Sequence, residues 1–244
     1  WYGDHRDLHS FSTRRLFGVD PVGIHFHIGS QLTELKPIYE SAEIVADLVR
    51  SLSTIKIDLK FFDVGGGLGV KYKDEVTIKP YDYAQAILGT LKGLDLTIVC
   101  EPGRFLTANG GYFLTKVLYE KKNGEKRFVV VDGAMNDLLR PSLYKAYHKI
   151  EAITDAKSDE SFADIVGPVC ESGDFFAKEY PLPLLEHNDL LVIHSAGAYG
   201  FGMGSNYNTR GRSAEVALKD KKVKLIRRRE EFEDLIALEK EYLN

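Results

Sequence analysis

Three groups of polar and glycine residues each follow a short apolar run in the first half of the sequence. They are His27-Ile-Gly-Ser30-Gln31, Gly65-Gly66-Gly67 with Gly69, and Glu101-Pro-Gly103-Arg104. In parallel α/β sheets and barrels, functional residues gather at the carboxyl ends of the strands. If the apolar runs are strands of one sheet, these three groups lie together and form one site.

An aromatic ligand that carries a phosphate would match the chemistry of these groups. Adjacent glycines let the backbone approach an anion, and their N–H groups can cradle a phosphate. Ser30 could add a hydroxyl to that phosphate, and Arg104 a charged donor. The Glu101 carboxylate ends an apolar strand and needs a cationic partner there, either Arg104 or a pyridinium nitrogen. A flat side chain such as His27 would lie against the ring.

Each of these motifs also has a purely structural explanation. The triple glycine alone could be a flexible turn, and Glu101 with Arg104 could be an ion pair that only stabilises the fold. A single histidine such as His27 is more often a hydrogen-bonded core residue. Cys100 ends an apolar strand, and we expect it to be packed. The three groups taken together favour a ligand site.

Further candidate residues lie in the second half of the sequence. The run Cys170-Glu171-Ser-Gly-Asp174 places a thiol beside a carboxylate in a loop, where the pair could serve as an acid or base or contact a substrate. Tyr199 lies between small residues, which suits either close approach to a ligand or a simple turn. Arg140 and Tyr144 add a cation and a second phenol to residues that would otherwise be ordinary surface positions.

The elements that would position these residues change in type near residue 111. Before residue 111, strand-like runs at 22–28, 59–64 and 94–100 alternate with two segments of helical spacing. The first helical segment begins at an N-cap on Thr33, and the second spans 83–91. This alternation predicts parallel βαβ units. After it, short β runs and the Asn123-Gly124 hairpin signal predict a β domain, ending in a charged helix over 230–242. The predicted organisation is therefore residues 1–20 unassigned, 21–111 α/β and 112–244 mainly β.

Composition limits the classes of function. The 244 residues are 44% apolar and 28% charged, which is enough to build a core. A net charge of −4 argues against nucleic acid or an anionic membrane as the main partner. Two cysteines cannot form a disulfide framework, so we expect a reducing, cytoplasmic compartment. We find no signal peptide, and because the first residue is Trp1 we expect a piece of a longer protein.

Six motifs in order resemble the diaminopimelate decarboxylases, which are pyridoxal-phosphate enzymes of the alanine racemase-like fold. The resemblance implies an α/β plus all-β protein, with part of a (β/α)8 barrel followed by a carboxyl-terminal β-sandwich or barrel domain. The matching segments are Gly23-Ile-His-Phe-His-Ile-Gly-Ser-Gln31, Asp63-Val-Gly-Gly-Gly-Leu-Gly69, Glu101-Pro-Gly-Arg104, Leu139-Arg-Pro-Ser-Leu-Tyr144, Cys170-Glu-Ser-Gly-Asp174, and Gly197-Ala-Tyr-Gly200 with Ser205-Asn-Tyr-Asn208.

This resemblance also implies roles for individual residues. The catalytic residues would be Cys170, which returns a proton to Cα, and His27, which stacks on the pyridine ring. Glu101 would reach the pyridine nitrogen and keep it protonated, so that the ring accepts the electrons left when CO2 departs. The cofactor-binding residues would be His27, Ser30, Gly65, Gly66, Gly67, Glu101, Gly103, Arg104 and Tyr199. The substrate-binding residues would be Arg104, Arg140, Tyr144, Glu171 and Tyr199.

The resemblance further implies a substrate and a partner. meso-Diaminopimelate carries a second amino-acid head, so its site needs a cation and an anion at the far end, and Arg140 and Glu171 supply them. An ornithine decarboxylase would need only carboxylates there, because the distal end of ornithine is a bare ammonium. Such polar pairs can discriminate by ~10⁴ or more. In these enzymes the loop that corresponds to the Cys170 loop completes the site of the partner subunit, so a homodimer is expected. No metal ion is expected in the site.

The sequence departs from the family in one respect. The family's Schiff-base lysine lies in a Tyr-Ala-x-Lys-Ala-Asn type of segment, which the printed sequence lacks, and neither Lys71 nor Lys73 has that context. The chain as printed is therefore not expected to close an eight-stranded barrel or to bind the cofactor covalently. Other interpretations stay open: a related decarboxylase of ornithine or arginine, an inert fragment, or a non-catalytic protein that binds pyridoxal phosphate or a partner.

Overall fold

The structure is a computed structural model that describes residue 18 and residues 20–153 and 160–242. The chain divides into two compact units, residues 1–106 and residues 107–244, and each unit has a hydrophobic core of its own. Most of the unassigned segment 1–20 lies outside the described residues. No helix in the described part of the chain has the length and apolar character needed to cross a lipid bilayer.

A three-stranded parallel sheet organises the first unit. Its strands are β1 (Gly23–His25), β2 (Phe61–Asp63) and β3 (Thr97–Val99), in the order β1-β2-β3. Helix α1 (Leu35–Thr54) connects β1 to β2, and helix α2 (Pro80–Thr90) connects β2 to β3. The predicted parallel βαβ units are therefore confirmed. Because all three strands run in the same direction, the loops that follow them leave the sheet at one edge.

Helix α1 packs on this sheet through one apolar stripe. Its buried residues are Ile38, Ala42, Ala46, Val49 and Leu52, which recur at the spacing of a single helix face. The predicted N-cap at Thr33 is wrong, since the helix is preceded by Glu34 at the cap position and no side chain caps it. Helix α1 is therefore held by the burial of its stripe rather than by a capping hydrogen bond.

The prediction that Cys100 is packed is also wrong, because its side chain is exposed. Cys100 directly follows β3, and all three residues of that strand are exposed as well. Among the described residues β3 pairs with β2 on one side only. The apolar run 94–100 therefore lies at an edge of this sheet, where apolar composition does not guarantee burial.

A six-stranded mixed sheet forms the body of the second unit. The strands are β4 (Phe113–Asn123), β5 (Lys126–Val131), β6 (Ile150–Ile153), β7 (Ser161–Val166), β8 (Phe175–Leu182) and β9 (Leu190–Ile193). Their order in the sheet is β6-β9-β4-β5-β7-β8, with β5 and β7 parallel and the other pairs antiparallel. The hairpin predicted at Asn123-Gly124 is confirmed, and Gly124 adopts the positive φ of +58° that the turn requires.

Three short helices and a separate hairpin complete the chain. The helices are α3 (Gly103–Thr107), α4 (Arg140–Tyr144) and α5 (Phe232–Leu235), and the hairpin joins β10 (Glu215–Lys219) to β11 (Lys222–Arg227). The predicted helix over 230–242 is wrong, because α5 is a single turn and a separate 3-10 turn spans Lys240–Tyr242. Its apolar residues Phe232 and Leu238 are exposed, so no buried stripe stabilises a longer helix.

Candidate active site

The three loops that follow β1, β2 and β3 contact one another. The N–H of Leu32 donates to the carbonyl of Gly67 at 2.8 Å, which joins the first loop to the second. The N–H of Glu101 donates to the carbonyl of Gly65, also at 2.8 Å, which joins the third loop to the second. The structure therefore brings together the three residue groups that the sequence predicted to lie together.

The triple glycine makes this convergence possible. A Cβ on Gly66 would lie 2.4 Å from the carbonyl oxygen of Glu101, and a Cβ on Gly67 would lie 2.3 Å from that of Gly29. Gly65 adopts a φ of +66° and would meet the carbonyl oxygen of Phe26 at 2.3 Å. Only glycine allows such close approach of backbone to backbone. The glycine loop thus packs the site together and is more than a flexible turn.

The first two glycine amides of this loop are engaged within the protein. The N–H of Gly65 donates to Oδ1 of Asp63 at 2.8 Å, and the N–H of Gly66 donates to Nδ1 of His27 at 3.2 Å. That these two N–H groups cradle a phosphate therefore stays a prediction, since both donate within the protein in this arrangement. The Gly66 amide makes Nδ1 of His27 an acceptor and fixes the orientation of the exposed imidazole ring.

Ser30 and Arg104 form the polar side of this cluster. Nη2 of Arg104 donates to the Ser30 hydroxyl at 2.9 Å, and Nη1 donates to the Tyr72 hydroxyl at 2.7 Å. The guanidinium carbon also lies 5.8 Å from the centre of the Tyr72 ring. Among the described residues, none has an atom within 4 Å of the position where a Cβ on Gly103, next to Arg104, would be. A fixed cation, a hydroxyl and open space beside them suit a small anion.

Glu101 belongs to a second polar group at the same edge of the sheet. Its Oε2 lies 3.7 Å from Nε2 of His25, and one carboxylate oxygen of Asp63 lies within 4.8 Å of both groups. Among the described residues, the basic side chain paired with Glu101 is thus His25 and not Arg104, so the expected structural ion pair is not found. About half of the Glu101 side chain is exposed, which leaves its carboxylate accessible to a ligand.

In the second unit, Asp174 holds the loop that carries Cys170 and Glu171. Its Oδ1 accepts the N–H of Met135 and its Oδ2 accepts the N–H of Val169, both at 2.7 Å. Asp174 is buried, and burial raises the pKa of its carboxyl although the two N–H groups partly oppose that rise. Cys170 and Glu171 are exposed at the tip of the same loop. The buried Asp174 carboxylate therefore holds a loop on which a thiol and a second carboxylate are exposed to solvent.

The Glu171 carboxylate is stabilised as an anion. Its Oε1 accepts the N–H of Gly173 and the hydroxyl of Ser172, each at 3.1 Å. These hydrogen bonds, the Gly173 amide first, lower the pKa of Glu171 below its usual value. Glu171 is consequently ionised at neutral pH and can attract a cation.

Arg140 is not the surface residue that its sequence context suggested, since only 7% of it is exposed. Its Nη1 lies 2.8 Å from Nε2 of His148. Tyr144, one turn along α4, is exposed. The Ser142 hydroxyl between them donates to the carbonyl of Gly173 at 2.5 Å, which ties α4 to the loop of Cys170. The structure therefore places Arg140 and Tyr144 on a helix that contacts the thiol-bearing loop.

Tyr199 lies in a tight turn whose glycines face other backbone atoms. It is half-exposed and has a φ of +59°, unusual for a residue with a large side chain. A Cβ on Gly197 would lie 2.0 Å from the Thr107 carbonyl oxygen, and one on Gly200 would lie 2.2 Å from that of Ala196. The backbone of the turn is thus closely packed, while the Tyr199 side chain stays partly exposed.

Comparison with known proteins identifies the family. Residues 22–197 match the model of the pyridoxal-dependent decarboxylase, C-terminal sheet domain. The chain belongs to the pyridoxal-dependent decarboxylase family. Curated members named diaminopimelate decarboxylase are 60% identical over 226 residues in Campylobacter jejuni and 58% identical over 226 residues in Helicobacter pylori. The aligned part is 92% of this chain and 56% of each relative, so the chain spans about half the length of these relatives.

A solved structure agrees with this decarboxylase assignment. The crystal structure of diaminopimelate decarboxylase from Helicobacter pylori complexed with L-lysine has a TM-score of 0.92 and 54% sequence identity to the chain. The match covers 99% of this chain and 60% of that one. The chain thus has the alanine racemase-like decarboxylase fold in its sheet domain, and the resemblance seen in the six motifs is confirmed.

The donors found in the first unit fit the phosphorylated pyridine of this decarboxylase family. Arg104 and Ser30 offer a cation and a hydroxyl beside the open space at Gly103. The Glu101 carboxylate is accessible to a ring nitrogen, and His27 presents an imidazole whose orientation the Gly66 amide fixes. A phosphate, a basic nitrogen and a flat ring each have a matching partner.

Sequence reasoning missed three residues that contact candidate site residues. Tyr72 orients Arg104, His25 pairs with Glu101, and His148 contacts Arg140. His25 and His27 alternate along one short strand and its loop, a spacing that could have drawn attention to both. His148 could not have been found in the same way, because its contact with Arg140 depends on how α4 packs in the folded chain. The sequence shows only that a histidine follows the Arg140 motif.

Proposed function

We propose that the full-length protein is a diaminopimelate decarboxylase, which converts meso-2,6-diaminopimelate to L-lysine and CO2. The observation that carries the proposal is the convergence of His27, Gly66, Glu101 and the Ser30–Arg104 pair at one edge of the parallel sheet. This set of residues matches the pyridoxal cofactor of the family, and curated relatives that are 60% and 58% identical to the chain carry the name of this activity.

The residues of the parallel-sheet edge bind the cofactor. Ser30, Arg104 and the backbone near Gly67 and Gly103 hold its phosphate, and His27 stacks on the ring. Glu101 holds a proton on the ring nitrogen. The support is the donor set described above and the exposure of the Glu101 carboxylate. We extend this assignment to Tyr199, whose side chain is partly exposed.

The reaction exchanges one bond at Cα for another. Pyridoxal phosphate supplies, when bound, an electron sink for the pair that stays on Cα as CO2 leaves. Cys170 donates its thiol proton to Cα, so a Cα–H bond replaces the broken Cα–carboxylate bond, and the thiolate regains a proton from solvent. The exposure of Cys170 on a loop held by the buried Asp174 supports this role.

The far end of the substrate selects diaminopimelate. Arg140 and Tyr144, together with Arg104, bind the distal carboxylate, and the ionised Glu171 binds the distal ammonium. A substrate such as ornithine offers no distal carboxylate to Arg140, a difference that can cost ~10⁴ in specificity. The buried, oriented guanidinium of Arg140 and the lowered pKa of Glu171 support this division of charge.

The assembly follows from the same family assignment. We propose that the first unit is the later part of a (β/α)8 barrel within residues 21–111, and that residues 112–244 form the β domain. We propose a homodimer in which the Cys170 loop completes the site of the partner subunit, in a cytoplasmic enzyme. These proposals rest on the parallel βαβ units and on the resemblance to full-length relatives.

Product formation by the holoenzyme tests the proposal. The purified full-length protein, with pyridoxal phosphate, should release L-lysine and CO2 from meso-diaminopimelate, with kcat/KM ~10⁴-fold above that for L-ornithine or L-arginine. Comparable turnover of ornithine would instead identify a diamine-forming decarboxylase. Cofactor binding without CO2 from any of the three amino acids would identify a non-catalytic binding protein.

The two exposed cysteines give a matched test of the proton donor. Cys170→Ala should lower kcat by ~10²–10⁴-fold, since general acid catalysis contributes that much. Cys100→Ala should leave kcat unchanged. Equal lysine formation by wild type and Cys170→Ala would remove the assignment of Cys170.

A further inference from the structure

His25, Asp63 and Glu101 form a polar cluster on one face of the parallel sheet. His25 pairs with Asp63 in the register of β1 and β2, and Asp63 pairs with Val99 in the register of β2 and β3. Side chains at paired positions project from the same face, and a side chain two residues further along a strand returns to it. Glu101 follows Val99 by two residues, so it returns to the face that carries His25 and Asp63.

This face of the sheet points away from the core that the helices cover. Phe62, next to Asp63, is fully buried in that core, and Ile24, next to His25, packs against it. Because successive side chains of a strand alternate, His25 and Asp63 project from the opposite face. About half of the side chain of His25 is exposed, as is about half of that of Glu101. The cluster is therefore accessible to a ligand at the parallel-sheet edge.

The spacing within the cluster favours interaction through charge rather than through hydrogen bonds. Nε2 of His25 lies 3.7 Å from Oε2 of Glu101, which is too long for a hydrogen bond but short enough for an ion pair. One carboxylate oxygen of Asp63 lies within 4.8 Å of both groups. Oδ1 of Asp63 also accepts the N–H of Gly65 at 2.8 Å, which fixes this carboxylate. One imidazole ring thus lies within reach of two carboxylates.

Opposite charges at such distances stabilise each other. An opposite charge within about 4–6 Å favours the ionised form of a titratable group. Two carboxylates therefore favour the imidazolium form of His25, and the imidazolium favours the carboxylate form of Glu101. A carboxylate has acceptors only, so a ring nitrogen that shares one proton with it must carry that proton. Asp63 without the imidazolium would favour a proton on Glu101 and leave the ring nitrogen neutral.

We infer that His25 and Asp63 are positioning residues that keep the proton shared by Glu101 and the cofactor on the pyridine nitrogen. The inference rests on the proposed function, in which Glu101 contacts that nitrogen, and it deepens the role of the site. The protonated ring is the form of the cofactor that accepts an electron pair well. His25 and Asp63 thus affect the reaction through Glu101 and do not touch the substrate.

A nitrogen label in the cofactor tests the role of His25. The full-length protein is loaded with pyridoxal phosphate that carries ¹⁵N in its ring, and the ¹⁵N chemical shift gives the ratio of unprotonated to protonated nitrogen. His25→Gln should raise this ratio by about threefold to tenfold, the effect of one charge at a half-exposed site. His25→Lys restores a positive charge and should return the ratio towards that of wild type. An unchanged ratio in His25→Gln, or equal changes in both variants, would overturn the inference.

A second label tests the role of Asp63. In the wild-type holoenzyme the ¹⁵N shifts of His25 should show that both ring nitrogens are protonated, and a neutral imidazole would overturn the inference. Asp63→Asn keeps an oxygen for the Gly65 N–H but removes the charge. The imidazolium fraction of His25 should therefore fall in Asp63→Asn. It should stay at the wild-type value in the control Asp58→Asn, because Asp58 is exposed and contacts Ser53. Equal fractions in all three proteins would contradict the role of Asp63.

Kinetics separate this role from a structural one. In His25→Gln, kcat for meso-diaminopimelate should fall by about threefold to tenfold, in parallel with the change in ring protonation. The dissociation constant of pyridoxal phosphate should change less, because Ser30 and Arg104 are untouched. The control His187→Gln should behave as wild type, since His187 is exposed and contacts the carbonyl of Leu118. A loss of cofactor affinity in His25→Gln with normal ring protonation would show a structural role and overturn the inference.

Failure of the proposed function would give a different result. Wild-type protein that releases no CO2 from meso-diaminopimelate, yet shows the expected ¹⁵N shifts in wild type and in His25→Gln, would contradict the decarboxylase activity alone. The roles of His25 and Asp63 at the ring nitrogen would then still be supported. Normal CO2 release with an unprotonated ring nitrogen in wild type would instead overturn the inference and leave the proposed function intact.

Discussion

Nη2 of Arg104 lies 2.9 Å from the hydroxyl of Ser30, although 74 positions separate the two residues in the sequence. The Tyr72 hydroxyl accepts from the other terminal nitrogen of the same guanidinium. Two separate loops therefore fix one cation, carried by helix α3, at the edge of the parallel sheet. A phosphate bound here meets donors that are already oriented, so little conformational entropy is lost on binding.

Removal of the Ser30 hydroxyl should weaken binding of pyridoxal phosphate. Ser30→Ala removes one donor to the phosphate and one acceptor from Arg104, which together correspond to about a threefold to tenfold rise in the dissociation constant. Equilibrium dialysis of the full-length protein measures this change. Ser53→Ala is the control, because Ser53 lies exposed on α1 and contacts Asp58 instead. Equal affinities of the Ser30 variant and wild type would contradict the phosphate assignment.

A methyl group on the glycine loop should destabilise the protein. In Gly66→Ala the new Cβ lies 2.4 Å from the Glu101 carbonyl oxygen, and relief of this overlap should lower the free energy of unfolding by about 1–3 kcal/mol. Gly89→Ala is the matched control, because nothing lies within 4 Å of its Cβ position on helix α2. There the substitution should stabilise by about 0.5–1 kcal/mol. Chemical denaturation of both variants gives the comparison, and a Gly66 variant as stable as wild type would argue against the close packing of the three loops.

The parallel-sheet edge was predictable from sequence because its pattern is local. An apolar run, a polar cluster and a helical spacing repeat there, and parallel strands then require the clusters to lie at one edge. The Asn123-Gly124 hairpin was predictable for a similar reason, since two residues specify the turn.

Other features depended on contacts that the sequence does not reveal. The run before Cys100 has the composition of a buried strand, yet it lies at a sheet edge. The segment 230–242 has a helical stripe, but Phe232 within it is exposed. One contact of Arg140 is with a histidine eight residues away, brought close by the turn after α4. Each of these outcomes was decided by tertiary packing, which overrides local preference.

The buried carboxylate of Asp174 should control the geometry of the Cys170 loop. Asp174→Asn keeps the volume but replaces one of two acceptors with an NH2 group, which then faces a backbone N–H. An unsatisfied buried donor costs about 1–3 kcal/mol, and the free energy of unfolding should fall by that amount. Because the loop carries Cys170, the proposed proton donor, kcat should fall while the affinity for pyridoxal phosphate is unchanged. Asp220→Asn, in the exposed turn of the β10–β11 hairpin, is the control. A fall in cofactor affinity with a normal kcat would contradict this separation.

The charge of Glu171 should matter at every pH at which the enzyme is active. Hydrogen bonds from Gly173 and Ser172 lower the pKa of this carboxyl from its ordinary value of 4.5. Because the pKa is lowered, the carboxylate keeps its charge to a lower pH than an ordinary glutamate does. The charge, and the stability it contributes, are fully present above the ordinary pKa and are lost only as the pH falls through the lowered pKa. Glu171 is therefore ionised throughout the range from about pH 5 to pH 9.

Substitution by the neutral amide should consequently change KM by a constant factor. Glu171→Gln should raise KM for meso-diaminopimelate by about tenfold, the loss expected for one charge-assisted hydrogen bond to an ammonium. The ratio of the mutant KM to the wild-type KM, measured at intervals from pH 5 to pH 9, should not vary. Glu125→Gln, in the exposed turn of the β4–β5 hairpin, should leave KM at the wild-type value. A ratio that falls towards one as the pH is lowered from 7 to 5 would mean that Glu171 takes up a proton in that range, which is incompatible with its two hydrogen bonds to Gly173 and Ser172.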